Sequence, residues 1–255
     1  MDLPEVAVDP RHYPDCCLSI STRLLDTLTD AFSTAIVGAG AGGTGTGLVL
    51  SIGSGSGLLE ALLLSRWSSS PSPSAAPDPN TLNRNRTLLQ IEGVEIRSSP
   101  PVNRYLPDPE NLTIVKGSWD VISPRARRAA TATARSTPTS AVRGLMFVYP
   151  RSPGLVGKYV RDFAAASAAA VAETVEAEAG VETEETKGTT TSTIRPVSLK
   201  SVVWLGHRSD WPDFEPCFAA VPGLDAATVE VVGGADAGLV EYEMMAVMAV
   251  RGAVP

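Results

Sequence analysis

Three cysteines in 255 residues (Cys16, Cys17 and Cys217) provide no C-x-x-C pair. That removes the usual spacing for structural zinc, and adjacent cysteines rarely bridge each other, so no disulfide framework is encoded. A reduced, intracellular protein is the expectation, cytoplasmic, with the nucleus left open. No apolar run is long and uncharged enough to span a bilayer; the best candidate, Leu239 to Val250, carries Glu241 and Glu243. The start, Met-Asp-Leu-Pro-Glu, has neither the basic beginning nor the apolar core of a signal peptide. Net positive charge is absent too: the formal charge is −7, which argues against a general nucleic-acid binder. Finally, no Gly-Lys-Ser or Gly-Lys-Thr occurs, which excludes a P-loop.

What is present suits one large α/β domain covering 1–255: 44% hydrophobic residues with 22 glycines and 20 prolines. Two stretches interrupt it. Residues 68–86 are dense in Ser, Pro and Asn, and residues 182–192 hold a Thr run; both read as low-complexity insertions. Nine basic side chains against one acid lie in 116–161, and 162–185 reverses the sign with seven acids and no base. Without interleaved aromatics these runs read as solvated faces.

The organising stretch is Leu48-Val-Leu-Ser-Ile-Gly-Ser-Gly-Ser-Gly-Leu-Leu-Glu60. Leu48 to Ile52 reads as a parallel strand buried on both faces, and Leu58 onward reads as a helix. Between them Gly53, Gly55 and Gly57 allow a sharp turn and close approach of a ligand to the backbone. Free N–H groups and the helix dipole suit a nucleotide-type ligand there. A dinucleotide fingerprint needs glycine at position 58 or 60, which hold Leu58 and Glu60. What remains resembles the first motif of class I S-adenosylmethionine-dependent methyltransferases, hydrophobic residues, often an acid, then G-x-G-x-G. Ser51 stands where the acid often is. The resemblance implies S-adenosylmethionine as cofactor, held by Ser51, Gly53, Ser54, Gly55 and Gly57. A glycine-rich loop without a ligand is the plain alternative.

Further along, an irregular arm is expected over 4–16, an amphipathic helix over 18–36 and a second strand within 88–96. A carboxylate at the tip of that strand can accept from ribose hydroxyls. Glu95 lies beyond the usual ~20-residue spacing, and removing the 68–86 insertion restores it. By resemblance Glu95 binds the cofactor ribose. A short helix is expected over 101–106 and a third strand at Leu112 to Val115 or Lys116. Just past it Ser118, Trp119 and Asp120 match the family's adenine-flanking position: an indole can stack on adenine and a carboxylate accept from its amino group. Packed Trp119 and a helix-capping Asp120 are the structural alternatives.

The fourth strand exits through Tyr149-Pro150-Arg151, which departs from the Asp/Asn-Pro-Pro-aromatic pattern of many amine-methylating relatives. A helix from Gly154 continues into an Ala/Glu stretch. A fifth strand, 197–205, ends at Gly206-His207. Thr228 to Val232 and Leu239 to Val250 read as a terminal hairpin. The layout is similar to the Rossmann-like class I methyltransferase fold: a seven-stranded, mostly parallel α/β sheet with a C-terminal antiparallel hairpin and helices on both faces. The resemblance implies methyl transfer to an unidentified small-molecule or protein acceptor, with His207 and Tyr149, past the strand ends, as candidate proton acceptors. Rival readings are a methyltransferase-like binder of cofactor or partner without catalysis, and a nicotinamide-dependent oxidoreductase.

Overall fold

A computed structural model of the chain describes residues 2–37, 47–69, 89–96, 103–106, 111–122, 141–179, 199–219 and 228–250. Apart from Ser68 and Ser69, the two expected insertions lie outside the described residues. Two two-residue strands, β1 (Arg11–His12) and β2 (Ser19–Ile20), pair antiparallel and precede helix α1 (Thr22–Val37). Then come β3 (Gly47–Ile52), α2 (Leu58–Ser69), β4 (Leu89–Ile96), β5 (Leu112–Val115), β6 (Ala141–Val148) and α3 (Pro153–Ala179). The chain closes with β7 (Ser201–His207), two one-turn helices, α4 (Trp211–Phe214) and α5 (Pro216–Ala219), β8 (Thr228–Gly233), α6 (Gly234–Ala237) and β9 (Glu243–Ala249).

Seven strands form one sheet in the order β5-β4-β3-β6-β7-β9-β8. Strands β3 to β7 run parallel, and β9 inserts antiparallel between β7 and β8. This is a Rossmann-like α/β sheet whose chain order reverses at β3, with β4 on one side and β6 on the other. The fold class expected from the sequence is what the chain adopts, including the terminal antiparallel pair.

Alternation of side chains sorts the core into two layers. Leu48, Leu50, Ile52, Val94, Phe147 and Trp204 face α3 and the one-turn helices. Val49, Ile91, Met146, Val203 and Met245 face α1 and α2. Both faces of β3 are covered, so its continuous apolar run is what burial on both sides requires. In α1 the helical spacing of Leu24, Leu25, Leu28, Phe32 and Ile36 is the buried stripe, and Ser21 caps it by accepting from the Leu24 N–H at 3.0 Å.

Three local expectations are corrected. Residues 103–106 form a turn, not a helix, because Asn103 Oδ1 takes the Leu106 N–H (3.2 Å) while the Arg104 and Tyr105 amides bond Ser56 O (both 3.0 Å). The arm before α1 is not irregular throughout, since it closes into the β1–β2 pair. The last strand begins at Glu243, since Gly238 (φ 80°) turns the chain after α6 and Leu239 and Val240 belong to that turn.

Candidate functional site

All five parallel strands end on one edge of the sheet, and the groups singled out from the sequence lie along it. Gly53 (φ 78°), Gly55 (φ 59°) and Gly57 (φ 76°) all take the left-handed conformation that side chains disfavour. Their neighbourhoods differ. A Cβ on Gly53 or Gly55 would meet nothing within 4 Å, whereas one on Gly57 would strike Asn103 Oδ1. The first two glycines therefore leave open space against the backbone, and the third is packed. Gly53 N–H bonds Val94 O (2.8 Å), and Gly57 O starts α2 by accepting from the Ala61 N–H (2.9 Å).

Glu95 is brought to this turn. Its Oε2 accepts from the Gly55 N–H at 2.8 Å, and Oε1 accepts from the Ile96 N–H at 2.9 Å. Parallel pairing of β3 with β4, Ile52 opposite Val94, sets the strand tip beside the turn. Behind the turn Ser51, fully buried, donates to Glu60 Oε1 at 2.5 Å. Glu60 is 1% exposed, and its Oε2 has no partner. Burial, partly offset by the Ser51 hydroxyl and raised further by the Glu95 charge, pushes its carboxyl up to about 7. Ser54 Oγ accepts from Asn103 Nδ2 at 3.0 Å, so the turn is tied to the 103–106 segment at two points.

The N-terminal arm crosses the same edge. Ser56 donates to Asp15 O at 2.5 Å, and the Asp15 carboxylate pairs with Arg104. Cys16 follows, and burial pushes its thiol up to about 12, with Glu60 and Glu243 among the nearby charges. Three residues on, Ser19 leaves the glycine turn and reaches the other half of the edge.

There Glu243, fully buried, accepts from the Ser19 N–H (3.3 and 3.2 Å), from the Ser19 hydroxyl, and from the Tyr149 hydroxyl at 2.8 Å. Tyr149, at φ 46°, is the non-glycine residue with positive φ among the described residues. Burial and the Glu243 carboxylate together raise its phenol above the usual range. His207 lies opposite Glu243 in the β7–β9 register. Its ring stacks on Tyr242 with centroids 5.3 Å apart, and the Tyr242 hydroxyl is 2.7 Å from His12 Nε2. The Ser209 N–H donates to His207 Nδ1 at 3.2 Å, which puts the proton of a neutral ring on Nε2.

Past β5 the groups lie apart from this network. Trp119 is 75% exposed, Ser118 is exposed, and Asp120 accepts from the Lys116 N–H at 3.0 Å. Trp119 is thus neither packed in the core nor covered. Its ring lies over Gly117, where a Cβ would meet it. Because β5 pairs with β4 through Glu95–Ile114 and Ile96–Val115, this tip is the next along the edge from Glu95.

Sequence reasoning found the turn, Glu95 and the two strand-exit residues Tyr149 and His207. It missed Glu60, Asp15, Cys16, Ser19, Tyr242 and Glu243. Glu60 carried a signal: an acid amid Leu58, Leu59, Ala61, Leu62 and Leu63 is a charge on a stretch that is buried all round. Glu243, directly before the apolar run Met244 to Val250, carried a weaker one.

No family model and no curated protein matches the chain. Among solved structures it is similar to WbdD with its C-terminal bundle ordered, at 12% identity and a TM-score of 0.39, covering 97% of this chain and 40% of that one. It is also similar to SAH-bound CalO1, a methyltransferase in calicheamicin biosynthesis, at 14% identity and a TM-score of 0.34, covering 89% of this chain and 55% of that one. The chain therefore spans about half the length of these structures or less. At these values the likeness carries no argument about activity, and the geometry of the edge must supply it.

Proposed function

We propose that this chain is an S-adenosylmethionine-dependent methyltransferase, with the cofactor lying against Gly53 to Gly57 and Glu95. One observation carries the reading: the Glu95 carboxylate already occupies the Gly55 N–H at 2.8 Å. A glycine turn at a helix N-terminus ordinarily welcomes phosphate. Here a second anion would meet Glu95 on the turn and Glu60 beneath it, which disfavours a pyrophosphate and with it the nicotinamide reading. A ribose hydroxyl or a cation is favoured instead.

The residues present fit such a group. Open space over Gly53 and Gly55 admits a ligand to the backbone, Glu95 has lone pairs for two adjacent hydroxyls, and exposed Trp119 offers a face for an adenine. When bound, the cofactor supplies a methyl group activated on a sulfonium. The chain's part is alignment of the acceptor at the edge formed by β6, β7 and β9.

A second reading, cofactor binding without transfer, has its own observation. The Tyr149 hydroxyl holds its proton in a bond to Glu243, and His207 Nδ1 already accepts from Ser209, so neither expected proton acceptor is poised as a base. Both readings place the cofactor at the same turn, and turnover with an acceptor separates them.

Calorimetric titration tests the shared part. S-adenosylhomocysteine should bind and NADH should not. Glu95→Ala should weaken the former by about ten- to a hundredfold, the worth of hydrogen bonds to a charged acceptor. Gly55→Asp should abolish it, and a folded Gly55→Asp that binds as tightly as wild type would move the site elsewhere.

A further inference from the structure

We propose that Glu60 makes the glycine turn select a positively charged ligand, the free Oε2 being the acceptor held back for the cation or for a water it brings. This rests on the cofactor site proposed above and names the charge that the site prefers.

The geometry begins with an unpaired atom. Buried polar atoms are almost always bonded, yet Glu60 Oε2 has no partner while Oε1 takes the Ser51 hydroxyl at 2.5 Å. The first turn of α2 needs no buried acid to form, since Leu58 and Leu59 already pack it. Described groups act on Glu60 from several sides, its own backbone N–H among them. Strand β3 contributes Ser51, β4 contributes Glu95, and the arm contributes Cys16, whose thiol feels Glu60. From α1, Asp26 is paired with Arg66, a turn and a half further along α2.

Charge at the turn is felt at Glu60, because Glu95, bonded to Gly55, raises the Glu60 carboxyl. A cation there acts by the same route with opposite sign, so it favours the carboxylate. By reciprocity, whatever the cation does to proton binding at Glu60, loss of that proton does to cation binding. In the unliganded chain the folded carboxyl titrates near 7, above its ordinary 4.5. Cation affinity should therefore be low below that range and rise as pH passes through it. A neutral ligand should show no such rise. The Glu60 contribution is isolated by substitution at that residue.

The experiment compares S-adenosylmethionine, a sulfonium, with S-adenosylhomocysteine, its neutral thioether, by calorimetry from pH 5.5 to 8.5 in buffers of different ionisation enthalpy. The expected result is a sulfonium-to-thioether affinity ratio that rises about tenfold across the range, with proton release near pH 7. Glu60→Gln, which keeps shape and the contact with Ser51, should flatten that rise and remove the proton release. A flat ratio in wild type, or a slope that persists in Glu60→Gln, overturns the inference while leaving the cofactor site standing. Failure of both ligands to bind at any pH overturns the cofactor site and this inference together. Should Glu60→Gln fail to fold, Ser51→Ala, which removes the hydroxyl that holds the Glu60 carboxyl down, should move the rise to higher pH, and a rise that stays in place overturns the inference.

Discussion

The two halves of the sheet edge are built by different means. On the glycine side, β3, β4 and the turn between β3 and α2 are shaped by backbone: three left-handed glycines, amides bonded to carbonyls, and Glu95 clipped to one of those amides. On the other side, β6, β7 and β9 meet around a buried carboxylate, Glu243, whose partners come from β2 and from the exit of β6. The first half leaves open space beside its backbone. The second is closed, with the Ser19 amide, the Ser19 hydroxyl and the Tyr149 hydroxyl all bonded to Glu243. A backbone-built cradle can accept a ligand without losing its shape. A side-chain knot holds distant segments together and changes shape if any member leaves. On this contrast the glycine half suits the proposed binding surface, and the Glu243 half anchors the arm that passes between them.

The harshest way to break the contrast is to cut the knot. Glu243→Ala leaves the Ser19 amide, the Ser19 hydroxyl and the Tyr149 hydroxyl without their acceptor in a buried place. Each such loss costs about 1–3 kcal/mol, so roughly 3–5 kcal/mol of unfolding free energy should disappear in urea denaturation. Glu243→Gln should lose less, as its oxygen still accepts. A loss under about 1 kcal/mol in Glu243→Ala would mean that water replaces the carboxylate and that the arm is not anchored there.

The contrast also explains what could be read from the sequence. The glycine half is local: strand, turn and helix follow one another, and alternating or continuous apolar residues announce each. Glu95 needed only one step, counting past an insertion. The Glu243 knot joins residues 19, 149 and 243, and no periodicity links positions so far apart. Tyr149 and His207 were found because strand ends can be located, but their hydrogen bonds could not be. Residues 103–106 depart from the expected helix because their amides bond the Asn103 side chain and Ser56 O. Trp119 was left between core and ligand, and only the fold shows it exposed.

Within the glycine half, a smaller effect separates the packed glycine from the open ones. Gly57→Ala adds strain at φ 76° and drives a methyl into Asn103 and Leu106, so about 2–3 kcal/mol should be lost. Gly55→Ala adds strain at φ 59° but meets nothing, and about 1 kcal/mol should be lost. Equal losses in thermal or urea unfolding would show that Asn103 moves aside freely. The distinction between a packed and an open part of the turn would then vanish.

The smallest effect on the fold is expected where the edge is most exposed. Trp119 has 75% of its surface in water, and its ring touches the chain over Gly117. Replacing it with alanine removes little buried area, so unfolding should change by no more than about 0.5 kcal/mol. An uncovered indole one strand from Glu95 offers a flat face on which an aromatic ring can stack. If that ring is the adenine of the proposed cofactor, Trp119→Ala should lower S-adenosylhomocysteine affinity about tenfold, the low end of what stacking of one base contributes. Trp119→Phe, which keeps a smaller face, should recover part of it. The indole emission should also shift when ligand is added to wild type. Unchanged affinity in Trp119→Ala, together with unchanged stability, would take this residue out of the glycine half altogether and end the cofactor's reach at Glu95.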